Sequence, residues 1–178
     1  MKRAVKLFLL VLILGVLAYM AINIIGTAKE KEAITRRIQN LPVFSFTDLY
    51  NEVFESSFIP ENQACLLMYF HPECEHCCYE AEQFINYAPE LSPYQIVMIS
   101  YDSIPNLKQF EEQYHLNEME NVTILHDPAG DFPKIFGTKI IPTSFIYSKE
   151  HKLKKIFKGE VKIEALLKYL QDEEDAQS

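Results

Sequence analysis

Apolar residues occur in blocks along most of the chain, and their spacing predicts a succession of strands and helices. The continuous apolar run Ala64 to Phe70 is typical of a strand that is covered on both faces, and the largely apolar Tyr94 to Tyr101 predicts another buried strand. Elsewhere apolar residues recur every three or four positions, which indicates helices with one buried face. These helices are predicted over Cys77–Tyr87, Pro105–Leu116, Phe132–Phe136 and Val161–Leu170.

Shorter apolar segments predict four further strands, at Val43–Phe46, Val122–Leu125, Thr143–Tyr147 and Leu153–Phe157. Residues 48–58 fit a helix only loosely. Because strands and helices alternate along the chain, an α/β fold is expected, with a central sheet flanked by helices. The last two strands follow each other directly, so they should form an antiparallel hairpin and make the sheet mixed.

The amino-terminal segment predicts a transmembrane helix. Leu7 to Ala28 contains no charged side chain, and the nineteen almost wholly apolar residues from Leu7 to Ile25 would span roughly 28 Å as a helix, close to the hydrocarbon thickness of a bilayer. A cleaved signal peptide is the alternative, but its apolar region is usually shorter and ends at a small-x-small site, which is missing here. We therefore expect residues 1–28 to be a retained signal anchor.

The remaining chain divides into three parts. Residues 29–40 are polar and rich in helix formers, which predicts a helical linker that ends before Pro42. Residues 41–171 carry the alternating pattern of the folded domain, and residues 172–178 form an acidic tail expected to be disordered. The very short tail before the anchor favours a single-pass protein whose domain faces outside the cytoplasm, in the periplasm if the source is bacterial.

Charge narrows the choice of partners. Of the 17 basic side chains, three lie in the first 26 residues, which contain no acidic ones, so the other 14 stand against all 25 acidic side chains. An acidic domain disfavours nucleic acid and anionic membrane surfaces as ligands. Three cysteines within five residues, Cys74, Cys77 and Cys78, instead favour partner proteins that contain thiols or disulfides. The amino-terminal helix is the expected contact with the membrane.

Three of the four cysteines, Cys74, Cys77 and Cys78, fall within five residues. Cys74 stands where the apolar strand gives way to a helix, and the amino end of a helix offers free N–H groups and partial positive charge. Both favour a thiolate, the nucleophile in disulfide exchange. Because Cys77 follows three residues later, it lies one turn deeper on the same face. We expect Cys74 to attack, Cys77 to resolve, and their redox-active disulfide to serve in place of a cofactor.

The two residues between these cysteines are expected to tune the thiols in opposite directions. A protonated His76 would stabilise the thiolate, whereas the charge of Glu75 would repel it. Cys65 begins the buried strand, far from its carboxyl end, and Cys78 lies one turn into the helix. We interpret both as bystanders.

A metal site is the main alternative. A lone C-x-x-C could be half of a zinc site, with His71 and His76 nearby, although no second half-site follows. Cys74, Cys77 and Cys78 with a histidine such as His126 could instead bind copper, since thiolates suit Cu(I). The chain would then be a membrane-anchored copper carrier. A purely structural disulfide is a further alternative.

The strand, the C-x-x-C and helix, and a distant Ile141-Pro142-Thr143 before a later strand together resemble the thioredoxin superfamily. The stretches 126–130, 136–138 and 140–146 are similar to its membrane-anchored TlpA/ResA-like branch. That resemblance implies a thioredoxin-like fold. It also implies a thiol–disulfide oxidoreductase that exchanges disulfides with exported or periplasmic proteins. A membrane electron donor is a further expected partner.

The resemblance also implies roles for three residues. Pro142 would be cis and pack against the dithiol, and Ile141 before it would help to bind incoming peptide. Glu80 completes a C-x-x-C-x-x-E pattern, so it would be a buried carboxylate that relays protons for the thiols; a solvated helix residue is the alternative. The chain departs from the family in lacking any tryptophan and in having Met68 where thioredoxins keep a buried aspartate. A peroxidase of the same fold usually has a Pro-x-x-x-Thr pattern, which is absent near Cys74.

Overall fold

The structure is a computed structural model that describes residues 12, 15, 19–20, 26–27 and 29–171. It divides into two units, Met1–Arg36 and Arg37–Ser178. In the first unit every described residue is helical, including all of 29–36. No helix formed by the described residues has both the length and the apolar character needed to cross a membrane. Most of the predicted anchor and all of the predicted acidic tail lie outside the described residues.

One mixed sheet of seven strands organises the described part of the second unit. From edge to edge its order is β2-β1-β5-β4-β3-β6-β7. Strands β3, β4 and β5 run parallel, and the remaining neighbours pair antiparallel. The strands are β1 (Ser45–Asp48), β2 (Val53–Glu55), β3 (Cys65–Tyr69), β4 (Gln95–Ser100), β5 (Val122–His126), β6 (Thr143–Tyr147) and β7 (Leu153–Lys158).

Helices cover both faces of this sheet. Besides the helical residues 29–38, the described helices are α1 (Glu75–Asn86), α2 (Ala88–Leu91), α3 (Ile104–Gln113), α4 (Phe132–Phe136) and α5 (Ile163–Gln171), with single 3₁₀ turns at Ser56–Phe58 and Leu116–Glu118. One face of β3 packs with α1, α3 and α5 in the main apolar cluster. On the other face the ring of Tyr69 stacks on Phe132 of α4, with centroids 4.5 Å apart. The thioredoxin-like α/β fold with a mixed, helix-flanked sheet is thus confirmed.

The loosely helical prediction for residues 48–58 was wrong. The chain there turns tightly and forms an antiparallel hairpin, in which β2 pairs with β1. The Asp48 carboxylate drives the turn, because it accepts hydrogen bonds from the N–H groups of Tyr50 and Glu52 at 2.8 and 2.9 Å. Asn51 adopts the left-handed conformation, with φ of 65°, which an asparagine tolerates well.

Several predicted boundaries also shift. β1 begins at Ser45 instead of Val43, and α1 begins at Glu75 instead of Cys77. The short helix α2 was not predicted. The central strands β3 and β4 differ from their predicted bounds by only one residue at each end, because both are almost entirely buried and their apolar sequences mark them clearly.

Strand register brings two distant segments together at one edge of the sheet. Tyr69, the last residue of β3, pairs with Thr143, the first residue of β6. The segment that follows β3 therefore begins beside Pro142, which precedes β6 directly. This edge holds the carboxyl ends of β3, β4 and β5, where open α/β sheets place their sites.

Candidate active site at the carboxyl end of β3

Cys74 occupies the N-cap of α1. The chain turns after β3, where the Cys74 N–H donates to the carbonyl of His71 at 3.0 Å. The Cys74 carbonyl in turn accepts the N–H groups of Cys77 and Cys78, at 2.9 and 3.0 Å, which starts the helix. The Cys74 side chain is only half-buried. It thus stands at the helix end with access to solvent, in the place that the sequence predicts.

Cys77 lies one turn further along and is fully buried. Burial raises the pKa of its thiol well above its usual range, a hydrogen bond from the backbone of His71 lowers it, and the nearby Cys74 and Glu80 raise it further. The thiols of Cys74 and Cys77 lie within hydrogen-bonding reach of each other, and all four cysteines are free. Cys77 therefore needs a nearby base before it can act as a nucleophile.

The carboxylate of Glu80 is buried behind Cys77, with 1% of its surface exposed. Its Oε1 accepts the N–H of Val161 at 2.9 Å, while its Oε2 has no hydrogen-bond partner among the described residues. The pKa of Glu80 is raised to about 7, chiefly by burial. The N–H of Val161 and the side chain of His76 lower this pKa, whereas Glu160 raises it. The alternative of a solvated helix residue does not hold.

The two residues between the cysteines have different surroundings. Glu75 is exposed in the first turn of α1. His76 places its Nδ1 2.6 Å from Oε2 of Glu160, in the turn that follows β7. Sequence analysis did not single out Glu160. No local pattern marks it, since the pairing joins residues 84 positions apart.

Pro142 and Ile141 reach the same edge of the sheet. The Ile141–Pro142 peptide bond is cis, as the resemblance implies. Pro142 is buried, and Ile141, like Cys74, packs half-buried against the main apolar cluster. The Pro142 carbonyl accepts the N–H of Gly159 at 2.8 Å, which ties this loop to the end of β7.

Two residues to which sequence analysis gave no role, Asp102 and Tyr114, lie close to His71 and Cys78. His71 accepts the N–H of Glu73 at its Nδ1, so its Nε2 carries the proton and lies 3.5 Å from Asp102. Cys78 donates to the Pro72 carbonyl at 3.4 Å, and Tyr114 also lies within hydrogen-bonding reach of the Cys78 thiol.

A metal centre finds no support. Across the described residues, no three histidine, cysteine, aspartate or glutamate side chains are placed to hold an ion together. His126, the histidine considered for copper, lies in β5, which is separated from β3 by β4. Cys65 lies at the other end of β3, where burial raises its pKa to about 12.

Comparison with known proteins adds a family and a set of similar folds. The model of the AhpC/TSA family matches residues 38–156, more than half of the chain. Curated protein sequences give no significant match.

Solved structures of similar fold include a secreted Mycobacterium tuberculosis disulfide oxidoreductase homologous to E. coli DsbE, at 18% identity and a TM-score of 0.63, with 76% of this chain and 97% of that one covered. An exposed lipoprotein thioredoxin from Streptococcus pneumoniae matches at 20% identity and a TM-score of 0.57, with 72% of this chain and 98% of that one covered. A peroxidoxin from M. tuberculosis matches at 18% identity and a TM-score of 0.63, with 74% of this chain and 94% of that one covered. At these identities the likeness shows the fold.

Proposed function

This chain belongs to the AhpC/TSA family, and we propose that its thioredoxin-like domain is a thiol–disulfide oxidoreductase of the TlpA/ResA-like kind. The placement of Cys74 at the N-cap of α1, with Cys77 buried one turn behind it, is the observation that carries this proposal. The helix end offers N–H groups and partial positive charge to a thiolate at Cys74.

Exchange proceeds in two steps. The Cys74 thiolate attacks one sulfur of a substrate disulfide, so that a Cys74–substrate bond forms while the substrate bond breaks and its other sulfur leaves as a thiolate. Cys77 then gives up its proton and attacks the Cys74 sulfur. The Cys74–Cys77 disulfide forms, and the second substrate sulfur leaves as a thiolate. Two electrons pass to the substrate, and an external dithiol protein must return them to the enzyme.

Glu80 is the base for the second step. The Cys77 thiol is buried and its pKa is raised, so its proton needs an acceptor close by. Glu80 has a pKa of about 7 and an unpartnered Oε2, and therefore can accept and release a proton near neutral pH. Glu80 follows Cys77 by three positions along one helix, which places the two side chains on the same face.

Protein substrates dock along the loop that carries Ile141 and Pro142, by resemblance to the superfamily. The half-buried Ile141 and the register between β3 and β6, which brings this loop to the edge where Cys74 lies, support this role. The domain lies outside the cytoplasm and residues 1–28 anchor it in the membrane. The apolar amino-terminal sequence supports the anchor, and the secreted and exposed-lipoprotein neighbours support the location.

Thiol trapping tests this proposal. The full chain with Cys77→Ser should accumulate mixed disulfides with partner proteins through Cys74, because the resolving thiol is gone. The matched Cys74→Ser variant keeps Cys77 and should accumulate none. Equal trapping by both variants, or trapping by neither, would reject the proposed roles.

A peroxidase is the second candidate, because the family match and the peroxidoxin neighbour both favour it. Cys74 would then be oxidised to a sulfenic acid by the peroxide, and Cys77 would displace water to form the disulfide. Peroxide consumption by the full chain with a thiol reductant separates the two functions. Rapid turnover of peroxide with slow exchange on protein disulfides would favour this candidate.

A further inference from the structure

The turn between β7 and α5, residues 159–161, contacts three of the predicted site residues at once. Its three consecutive residues reach Pro142, His76 and Glu80 in that order. These three residues belong to different parts of the predicted site: the substrate loop, the dithiol segment and the buried base. The β7–α5 turn is thus the place where all three are held together.

The first residue of the turn fixes its position. The N–H of Gly159 donates to the Pro142 carbonyl at 2.8 Å. Gly159 has a φ of 86°, a conformation that other residues rarely adopt. The turn is therefore anchored on the loop of the cis proline, and the next two residues project toward α1.

The second residue of the turn forms the pair with His76. The side chains of His76 and Glu160 are 65% and 41% exposed, and such surface pairs contribute little to stability. A 2.6 Å contact between residues far apart in sequence nevertheless holds the imidazole in one place. We therefore expect the His76–Glu160 pair to act through the charges around the site.

The third residue places the pair beside the buried carboxylate. Val161 donates its N–H to Glu80, and His76 and Glu160 both lie close enough to act on the charge of Glu80. The charged and titratable groups that act on Glu80 are His76 and Cys77 of its own helix and Glu160 of the turn. Lys158 and Lys162, on either side of the turn, are exposed.

We infer that Glu160 is a positioning residue of the redox centre, which fixes the imidazole of His76 and thereby sets the pH range in which Glu80 exchanges its proton. This inference rests on the proposed function, since it assigns a regulator to the base of the second step. Glu160 and a protonated His76 act on Glu80 with opposite signs, and the effect of Glu160 is the larger.

A double-mutant cycle on the full chain tests the inference. The Glu80 carboxyl is followed by carbon NMR as the pH is raised. Glu160→Gln should lower the midpoint of the Glu80 titration on the order of half a pH unit, because it removes a screened negative charge several ångströms away. His76→Gln should raise the midpoint, and this rise should shrink by at least about half in the Glu160→Gln background, because the imidazole is no longer held. Glu164→Gln, which removes an exposed charge from α5, should leave the midpoint unchanged.

Additive effects of the two substitutions would overturn the inference, since they would show that His76 keeps its place without Glu160. An unchanged midpoint in Glu160→Gln would do the same. The titration needs no turnover, so its outcome is separate from that of thiol trapping. If the chain traps no partners but shows non-additive midpoints, the proposed function is rejected, and the coupling of Glu160 and His76 to Glu80 still holds.

Discussion

The N–H of Val161 satisfies only one oxygen of the Glu80 carboxylate, at 2.9 Å, and leaves the other oxygen buried without a partner among the described residues. A buried charge with one hydrogen bond is poorly compensated, whereas the neutral acid loses less on burial. The proton on Glu80 is therefore held to about pH 7. This single relationship gives both a kinetic and a thermodynamic prediction.

Replacing Glu80 by Gln should slow disulfide exchange without disturbing the fold. Glutamine has nearly the same shape and can still accept the Val161 N–H, but it cannot take a proton from Cys77. General bases contribute roughly 10²-fold or more, so we expect a rate about 10²-fold lower at neutral pH and the loss of the inflection near pH 7. The measurement is the pH profile for reduction of a peptide disulfide.

Glu82→Gln is the matched control for this experiment, because Glu82 is exposed on the same helix. Its rate and pH profile should equal those of the parent chain. An inflection near pH 7 that persists in Glu80→Gln would assign the titration to another group and remove Glu80 from the mechanism.

Glu80 should also make the stability of the chain depend on pH. Its pKa rises from an ordinary 4.5 in the unfolded chain to about 7 in the folded one, chiefly through burial. The folded state therefore binds the proton more tightly, and the resulting stability is complete below about pH 4.5 and lost as the pH rises through 7. The loss is about 3 kcal/mol at most.

Urea unfolding at several pH values measures this loss. Glu80→Gln should flatten the decline between pH 4.5 and 7 relative to the parent chain, since glutamine carries no proton to lose. Identical slopes for the two chains would show that the folded carboxyl titrates at its ordinary value.

The apolar pattern of the sequence predicted the central strands of the sheet, because buried strands consist largely of apolar residues. β6 and α4 have the predicted bounds, and Gly137 ends α4 in the left-handed conformation that a glycine favours. The β1–β2 hairpin was missed because its turn depends on one side chain, that of Asp48, which bonds to its own loop. Apolar spacing does not record such a bond.

The candidate site was likewise only partly predictable from the sequence. Cys74 and Cys77 could be placed from their spacing and from the strand before them, and the resemblance implied the cis Pro142. Glu160 could not be found, because its contact with His76 arises only when α1 and the β7–α5 turn meet in the folded chain. The chemical roles of the site residues remain predictions that the experiments above address.

Asp127 offers a stability test away from the dithiol. It is buried, and its two carboxylate oxygens accept the N–H groups of Asp131 and Phe132, at 2.9 and 2.8 Å, before α4. Asp127→Ala would leave the buried Phe132 N–H without an acceptor. We expect a loss of about 1–3 kcal/mol, measured by urea unfolding.

Asp131→Ala provides the contrast for this measurement. Asp131 pairs with Lys134 at the surface, at 2.6 Å, so its removal should cost much less stability than that of Asp127. If the two variants were equally stable, the buried hydrogen bonds of Asp127 would not be what positions α4 against the sheet.

Cys65 should remain inert in the folded chain although it is a free thiol. It is fully buried at the start of β3, and burial raises its pKa to about 12, so almost no thiolate forms at neutral pH. Alkylation of the reduced chain, followed by mass spectrometry, should therefore modify Cys74 first and Cys65 only after unfolding. Cys65→Ala should leave the rate of disulfide exchange unchanged, because this thiol lies at the end of the strand opposite the dithiol. Modification of Cys65 as fast as Cys74 in the folded chain would mean that β3 opens to solvent, which its burial on both faces contradicts.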